Sequence, residues 1–280
     1  MKKKTNILLS ATLIVTMLAM WFAIPVNAEE SDYKENGVWY RLLSDNTAIV
    51  VGCDEDISEI TISDTLENGY NVEMIESGAF QGNLDLETFV CNANLRSVGD
   101  YAFESCAHLT TALFRGYVEQ IGSGAFSVCS SLSQVEFPDS VNQIGDGAFL
   151  MDRELTTFKF PSNLETLGQY AFALSGLRQA DMKCNLNQIP DRAFLRCENL
   201  SEVNLPAATE NIGGHAFYQC ESLSQISFPE TVDVVGRSAF EGCPISNVAL
   251  NCSQIGEKAF SGCYEMQSIT FSDNIQTDAV

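Results

Sequence analysis

The sequence predicts a repeat solenoid, a coil carrying one short parallel strand per repeat of about 23 residues, with tight turns or short helical or 3-10 segments on the opposite side. Three observations lead there. The pair Ala-Phe recurs nine times, an aliphatic residue recurs at a fixed distance ahead of it, and alternating apolar residues follow it. The pairs begin at Ala79, Ala102, Ala125, Ala148, Ala171, Ala193, Ala216, Ala239 and Ala259, spaced 23, 23, 23, 23, 22, 23, 23 and 20 residues apart. A period of this size marks units that cannot bury an apolar face alone and must stack on their neighbours.

Each recurring position has a physical task. Four residues before each Ala stands an aliphatic side chain, such as Ile75, Val98, Ile121 and Ile144, forming a core row. Gly follows it in seven units, including Gly99, Gly122 and Gly145, where a tight turn or close coil-to-coil approach excludes a Cβ. Pro190 replaces that Gly once, so its coil is expected to turn differently. Seven residues after the Ala comes Leu or an equivalent, then apolar residues three and five places on, as in Leu132, Val135 and Phe137. The last two alternate with polar residues, the period of a half-buried strand. Pro138, Pro161, Pro206 and Pro229 follow directly and end the pairing, because proline lacks an N–H.

The unit Cys-x-x-Leu-x-x-Val-x-Phe-Pro-x-x-Val-x-x-Ile-Gly-x-x-Ala-Phe, spelled out from Cys129 to Phe149, resembles the BspA-like leucine-rich repeats of bacterial surface proteins. The resemblance covers residues 57–271, the expected leucine-rich-repeat solenoid. It implies a curved solenoid with a role in adhesion or surface recognition. It names no partner, since such proteins bind through variable positions.

The ends depart from the repeat. Residues 1–28 read as an export signal: Lys2, Lys3 and Lys4, an apolar stretch from Ile7 to Ile24, and small residues for cleavage at Val26-Asn27-Ala28. The rival reading is an uncleaved membrane anchor, which Pro25 before the cleavage site disfavours. A secreted or cell-surface chain starting at Glu29, with no membrane insertion after cleavage, is the expectation. Residues 29–56 read as an N-terminal β-hairpin cap of two strands joined by a polar turn near Ser44–Asn46. Residues 272–280 read as an incomplete C-terminal end. No cap or sorting signal is visible there, so a partner or second copy covers the last coil, or the sequence is a shortened version of a longer protein.

Loss of the three lysines changes the net charge from −22 to −25. Such a surface repels phosphates, which excludes nucleic acid as a natural partner. Its simplest role is solubility of an exposed sheet.

Ten cysteines in an exported chain invite a disulfide framework, but the register argues for a structural ladder. Cys106, Cys129, Cys197, Cys220, Cys243 and Cys263 all lie four residues after the repeat Ala, where the other units have Asn83, Asp152 and Ser175. That position calls for a small side chain that hydrogen-bonds backbone in a tight turn. Stacked ladder thiols oxidise only where their Cα atoms approach within about 7 Å. Cys91 and Cys252 occupy apolar core positions, and Cys53 and Cys184 have no place in the pattern. No Cys-x-x-Cys or matched His spacing suggests a metal, and no cofactor is expected. His108 and His215 read as surface residues, and Asp54-Glu55-Asp56 as a solvated charge run. Without a Gly-x-Ser-x-Gly, phosphate-loop or His-Glu-x-x-His motif, an enzyme is not expected.

If the strand face binds, its outward-pointing residues are the candidates: Thr88, Val90, Thr111, Leu113, Gln134, Glu136, Thr157, Lys159, Gln179 and Asp181. Most are small and polar, as any exposed sheet needs to be. Val90 and Leu113 form an apolar pair beside a charged stripe of Glu136, Lys159 and Asp181, a pattern suited to a contact centre. The expected activity is binding of a protein ligand, a host or bacterial surface protein. The alternative is a structural spacer without a ligand of its own, self-associating through the end near Phe271.

Overall fold

The computed structural model describes residues 33–271 and the short strand Gln276–Thr277; the export-signal reading lies outside these residues. Stacked coils follow one another along the chain, each contributing parallel strands, and no helix occurs among the described residues. The expected strand is present in most coils. Glu59–Ile62, Thr88–Cys91, Thr111–Phe114 and Gln134–Glu136 pair in parallel register into a first sheet, which resumes at Gln179–Asp181, Glu202–Asn204 and Gln225–Ser227. Thr157–Phe160 carries the alternating pattern but lies outside any strand, so the sheet is interrupted there.

A second parallel strand per coil adds to the expected one. It ends on the aliphatic residue before the repeat glycine: Asn71–Ile75, Leu95–Val98, Val118–Ile121, Gln143–Ile144 and Thr166–Leu167 form one run. Only two residues long in many coils, it is below the length at which alternation is visible in a sequence. The second sheet breaks between Leu167 and Ile189 and restarts as a separate sheet. Each repeat glycine before the break donates its N–H to the aliphatic residue one coil back, as Gly168 does to Ile144 at 2.8 Å. Pro190 has no proton to donate to Leu167. The turn after it is the ordinary one, Ala193 N to Pro190 O at 3.3 Å, matching Ala102 N to Gly99 O. The proline therefore alters the sheet and leaves the turn unchanged.

Tight turns occupy the Gly-x-x-Ala-Phe segment, with no helical or 3-10 piece. Two residues per coil take positive φ, one before the Ala and one before the ladder position, for example Tyr101 (57°) and Ser105 (61°). Each reverses the peptide orientation. Alternate amides then point to the next coil (Tyr101, Phe103 and Ser105 N to Ser123, Ala125 and Ser127 O, 2.7–2.8 Å), while the intervening ones close local turns. A helix would keep all of these bonds within one coil. Left-handed backbone costs a non-glycine residue about 1–2 kcal/mol, which the bonds to the next coil offset.

The glycine row is a close approach. A Cβ on Gly122 would stand 2.6 Å from the Asp100 nitrogen of the previous coil. Behind it, the nine repeat phenylalanines stack one per coil, ring centroids 4.9–5.6 Å apart and planes within 2–20°. Strand phenylalanines meet this stack edge-on, as Phe89 meets Phe103 at 4.7 Å and 68°.

At the N-terminus three strands stand where two are expected. β1 (Tyr33–Glu35) and β2 (Val38–Leu42) form a hairpin about Asn36-Gly37, whose φ values are 50° and 77°, and β2 pairs antiparallel with β3 (Thr47–Cys53). Asn-Gly with both φ positive is the turn that matches strand twist. β3 then pairs in parallel with Asn71–Ile75, joining this unit to the second sheet.

Candidate functional site

The six ladder cysteines occupy one structural role. Each thiol donates to the carbonyl of the repeat Phe in the preceding coil: Cys106 to Phe80, Cys129 to Phe103, Cys197 to Phe172, Cys220 to Phe194 and Cys243 to Phe217 at 3.0–3.1 Å, and Cys263 to Phe240 at 3.3 Å. The backbone partner lies in the equivalent turn one coil back. All six are buried reduced thiols. Burial pushes Cys106, Cys197 and Cys263 up to about 12, and Cys129 and Cys220 well above the ordinary thiol value. A thiol held protonated is a poor nucleophile and a poor metal ligand.

Cys53, outside the repeat pattern, extends this ladder into the cap: Asn83 Nδ2 donates to its sulfur at 3.3 Å. The 30-residue separation hid it from a 23-residue register. Cys184 is buried at a place equivalent to Ala93 and Gly116, as a small apolar filler. Cys91 and Cys252 are buried in the core. A second ladder follows the repeat glycine, or Pro190 in its place: Asp100, Asp146 and Asp191 each accept an amide of the next coil, from Ser123, Gln169 and Gly214, at 2.7 Å.

Asp152 is the ladder's acidic member. It is completely buried; Oδ1 accepts the Cys129 N–H at 2.8 Å, and Oδ2 has no partner among the described residues. Burial raises its carboxyl well above the ordinary value, against the opposing effect of that one hydrogen bond. His108 is exposed, its Nδ1 beside the Leu84 carbonyl, and His215 is half-buried against Tyr218. Asp54 is paired with Lys34. No group of three metal-ligating side chains occurs among the described residues.

On the strand face, register brings the candidate residues together in part. Val90 lies directly beside Leu113, and Leu113 beside Glu136; Thr88, Thr111 and Gln134 form the parallel row. Val90 and Leu113 are half-buried, while Gln134, Glu136, Thr157, Lys159, Gln179 and Asp181 are exposed. Gln179 and Asp181 belong to the next stretch of sheet, beyond the interruption that contains Thr157 and Lys159. The charged stripe is not linked internally: Lys159 pairs with Asp139 at 3.2 Å, and Asp181 with Lys183 at 2.7 Å. The Ser162 amide and then Lys159 hold the Asp139 carboxyl below its usual range.

A leucine-rich repeat protein from Bacteroides ovatus, known from a crystal structure, superposes with a TM-score of 0.59 at 18% identity, over 88% of this chain and 78% of that one. A leucine rich repeat protein of T. pallidum superposes with a TM-score of 0.48 at 22% identity, over 84% and 91% of the two chains. Comparison with curated proteins gives no match. The first superposition shows the same fold. The model of the BspA type leucine rich repeat region matches in six copies over residues 73–201 and 187–278. With its stacked parallel strands, its Phe column and its glycine row, this chain belongs to the BspA type leucine rich repeat family.

Proposed function

We propose that this chain is an exported, non-catalytic binding protein that meets a protein ligand on its first sheet, centred on Val90 and Leu113. The observation that carries the reading is their pairing. Two half-exposed apolar side chains sit side by side in register, with Thr88 and Thr111 along one flank and Glu136 next in the row. An apolar centre with a polar rim is the anatomy of a protein contact. The thiols support the non-catalytic part of the reading, since each ladder thiol is committed to a phenylalanine carbonyl in a packing role.

The test is capture of host and bacterial surface proteins by the purified chain, beside a variant carrying Val90→Ala, Leu113→Ala, Glu136→Ala and Lys159→Ala. Loss of the captured ligand in the variant is the expected result; equal capture by both removes this face from consideration. Export rests on residues 1–28, and N-terminal sequencing of protein from the culture medium is expected to begin at Glu29. Intact Met1 on a membrane-bound protein would sink that part.

A second reading, end-to-end self-association of a spacer, draws on Ile269 and Phe271, each 39% exposed on the strand Ser268–Phe271. It predicts a concentration-dependent dimer in sedimentation that Phe271→Ser dissociates. A monomer at all concentrations counts against it.

A further inference from the structure

We propose that a notch between the coils of Arg153 and Arg196 binds carboxylates of a short acidic polypeptide segment. In most coils two residues separate the ladder position from the following buried apolar residue, such as Ser130-Ser131 between Cys129 and Leu132, or Glu198-Asn199 between Cys197 and Leu200. Between Ser175 and Leu177 there is only Gly176. That residue is drawn so tightly against the Arg153 carbonyl of the previous coil that no Cβ fits. The shortened corner opens a cleft of about 300 Å³ bordered by Arg153, Ser175, Gly176, Arg196, Glu198 and Asn199.

The cations around this cleft are exposed and lightly engaged. Arg153 has no side-chain hydrogen bond or ion pair among the described residues, nor has Arg178, two residues beyond Gly176. Arg196 has only a loose contact with Glu198 at 3.4 Å, both side chains about half exposed. Glu198 is the one acid on the border of the cleft, and it leaves Arg153 and Arg196 in excess. The wider charge pattern points the same way. Residues 153–196 hold six of the twelve Lys and Arg that follow Ala28 but four of the 37 carboxylates, a net charge of +2. The remainder of residues 29–280 sums to −27.

That contrast selects the ligand. A long polyanion would run from the basic zone onto acidic coils on either side and be repelled. A few carboxylates on a short segment reach the arginines without doing so. Guanidinium groups present paired donors that match a carboxylate, and the Asn199 amide borders the same cleft.

The experiment uses the full chain and a fluorescently labelled hexaglutamate peptide, read by anisotropy at low ionic strength. Saturable binding is expected, weakened about tenfold or more by Arg153→Gln with Arg196→Gln. Arg237→Gln with Lys258→Gln, which removes the same charge far along the chain, is expected to leave it unchanged. The proposal is overturned by absence of binding to the unaltered chain, by equal weakening in both double variants, or by tighter binding of oligothymidylate or dextran sulfate than of hexaglutamate. Circular dichroism of the variants guards against misfolding, and Arg153→Glu alone gives an independent second reading. The strand-face variants leave Arg153 and Arg196 in place, so this proposal and the strand-face reading fail separately.

Discussion

Asp152 stands where six other coils place a thiol that donates to a phenylalanine carbonyl one coil back. As a carboxylate it has no proton to donate, and its buried Oδ2 has no partner among the described residues. The fold therefore favours the neutral acid, and burial raises the carboxyl accordingly. The sign of the pH effect follows from linkage. A carboxyl whose folded value lies above its unfolded value near 4 contributes fully to stability below that value. The contribution is lost as pH rises through the folded value, because the unfolded chain ionises first. Asp152→Cys, which restores the ladder residue, is expected to stabilise the protein at neutral pH by about 1–3 kcal/mol, the usual cost of a buried unsatisfied polar group. The advantage should shrink as pH falls toward 4. Urea unfolding of both proteins across this range checks it; a Cys variant no more stable at neutral pH would refute the assignment. The ladder itself was legible in the sequence, because its tolerance for Cys, Asn, Asp and Ser marks a small hydrogen-bonding site. Its acceptor was not, since only stacking reveals that a Phe carbonyl 26 residues earlier faces each thiol in most coils.

Within the repeat, two kinds of glycine have different physical reasons. Gly122 takes an ordinary φ but has backbone of the previous coil where a Cβ would go. Gly147 takes a φ of 59°, yet a Cβ there would meet nothing closer than Leu150 at 3.7 Å. Gly122→Ala is therefore expected to separate two coils and to cost about 1–3 kcal/mol or more, as overpacking does. Gly147→Ala should cost only the left-handed backbone term of about 1–2 kcal/mol. Thermal unfolding of the pair measures this, and equal or inverted losses would contradict the close-approach reading. The first glycine row was visible in the sequence as a near-invariant column. The second was masked, because Tyr101, Tyr170, Arg192, His215, Ser238 and Lys258 adopt the same left-handed conformation that Gly78, Gly124 and Gly147 take in the other coils. The short second strand escaped for a related reason: Gln143–Ile144 is too brief to show alternation and is held by neighbouring coils. Asn36-Gly37 did carry a hairpin signal, but the strand before it, Tyr33-Lys34-Glu35, is short and mostly charged and does not read as a strand.

Across the whole molecule, one sign of charge dominates, −22 over 280 residues. The side-chain ion pairs are mostly surface contacts, such as Lys159–Asp139 with side chains 74% and 51% exposed, and pairs of that kind contribute little. Self-repulsion then outweighs local attraction, and added salt screens it over about 10 Å at 0.1 M. The melting temperature is expected to rise with sodium chloride concentration at neutral pH. A fall would mean that surface ion pairs contribute more than repulsion subtracts.

At this scale the division between sequence and structure is clear. By itself the sequence determined the coil, its register, the Phe column and the neighbourhood of Val90 and Leu113, because a 23-residue period places residues one period apart side by side. Tertiary structure alone decided what period arithmetic does not contain. It set the second sheet and its break at Pro190, the carbonyl each thiol meets, and the notch where a one-residue shortening brings Arg153 and Arg196 to the same cleft. The physical reason is that a stacked coil satisfies its backbone through its neighbours. The repeat specifies which residues stack, and only the stack fixes where each polar group finds its partner.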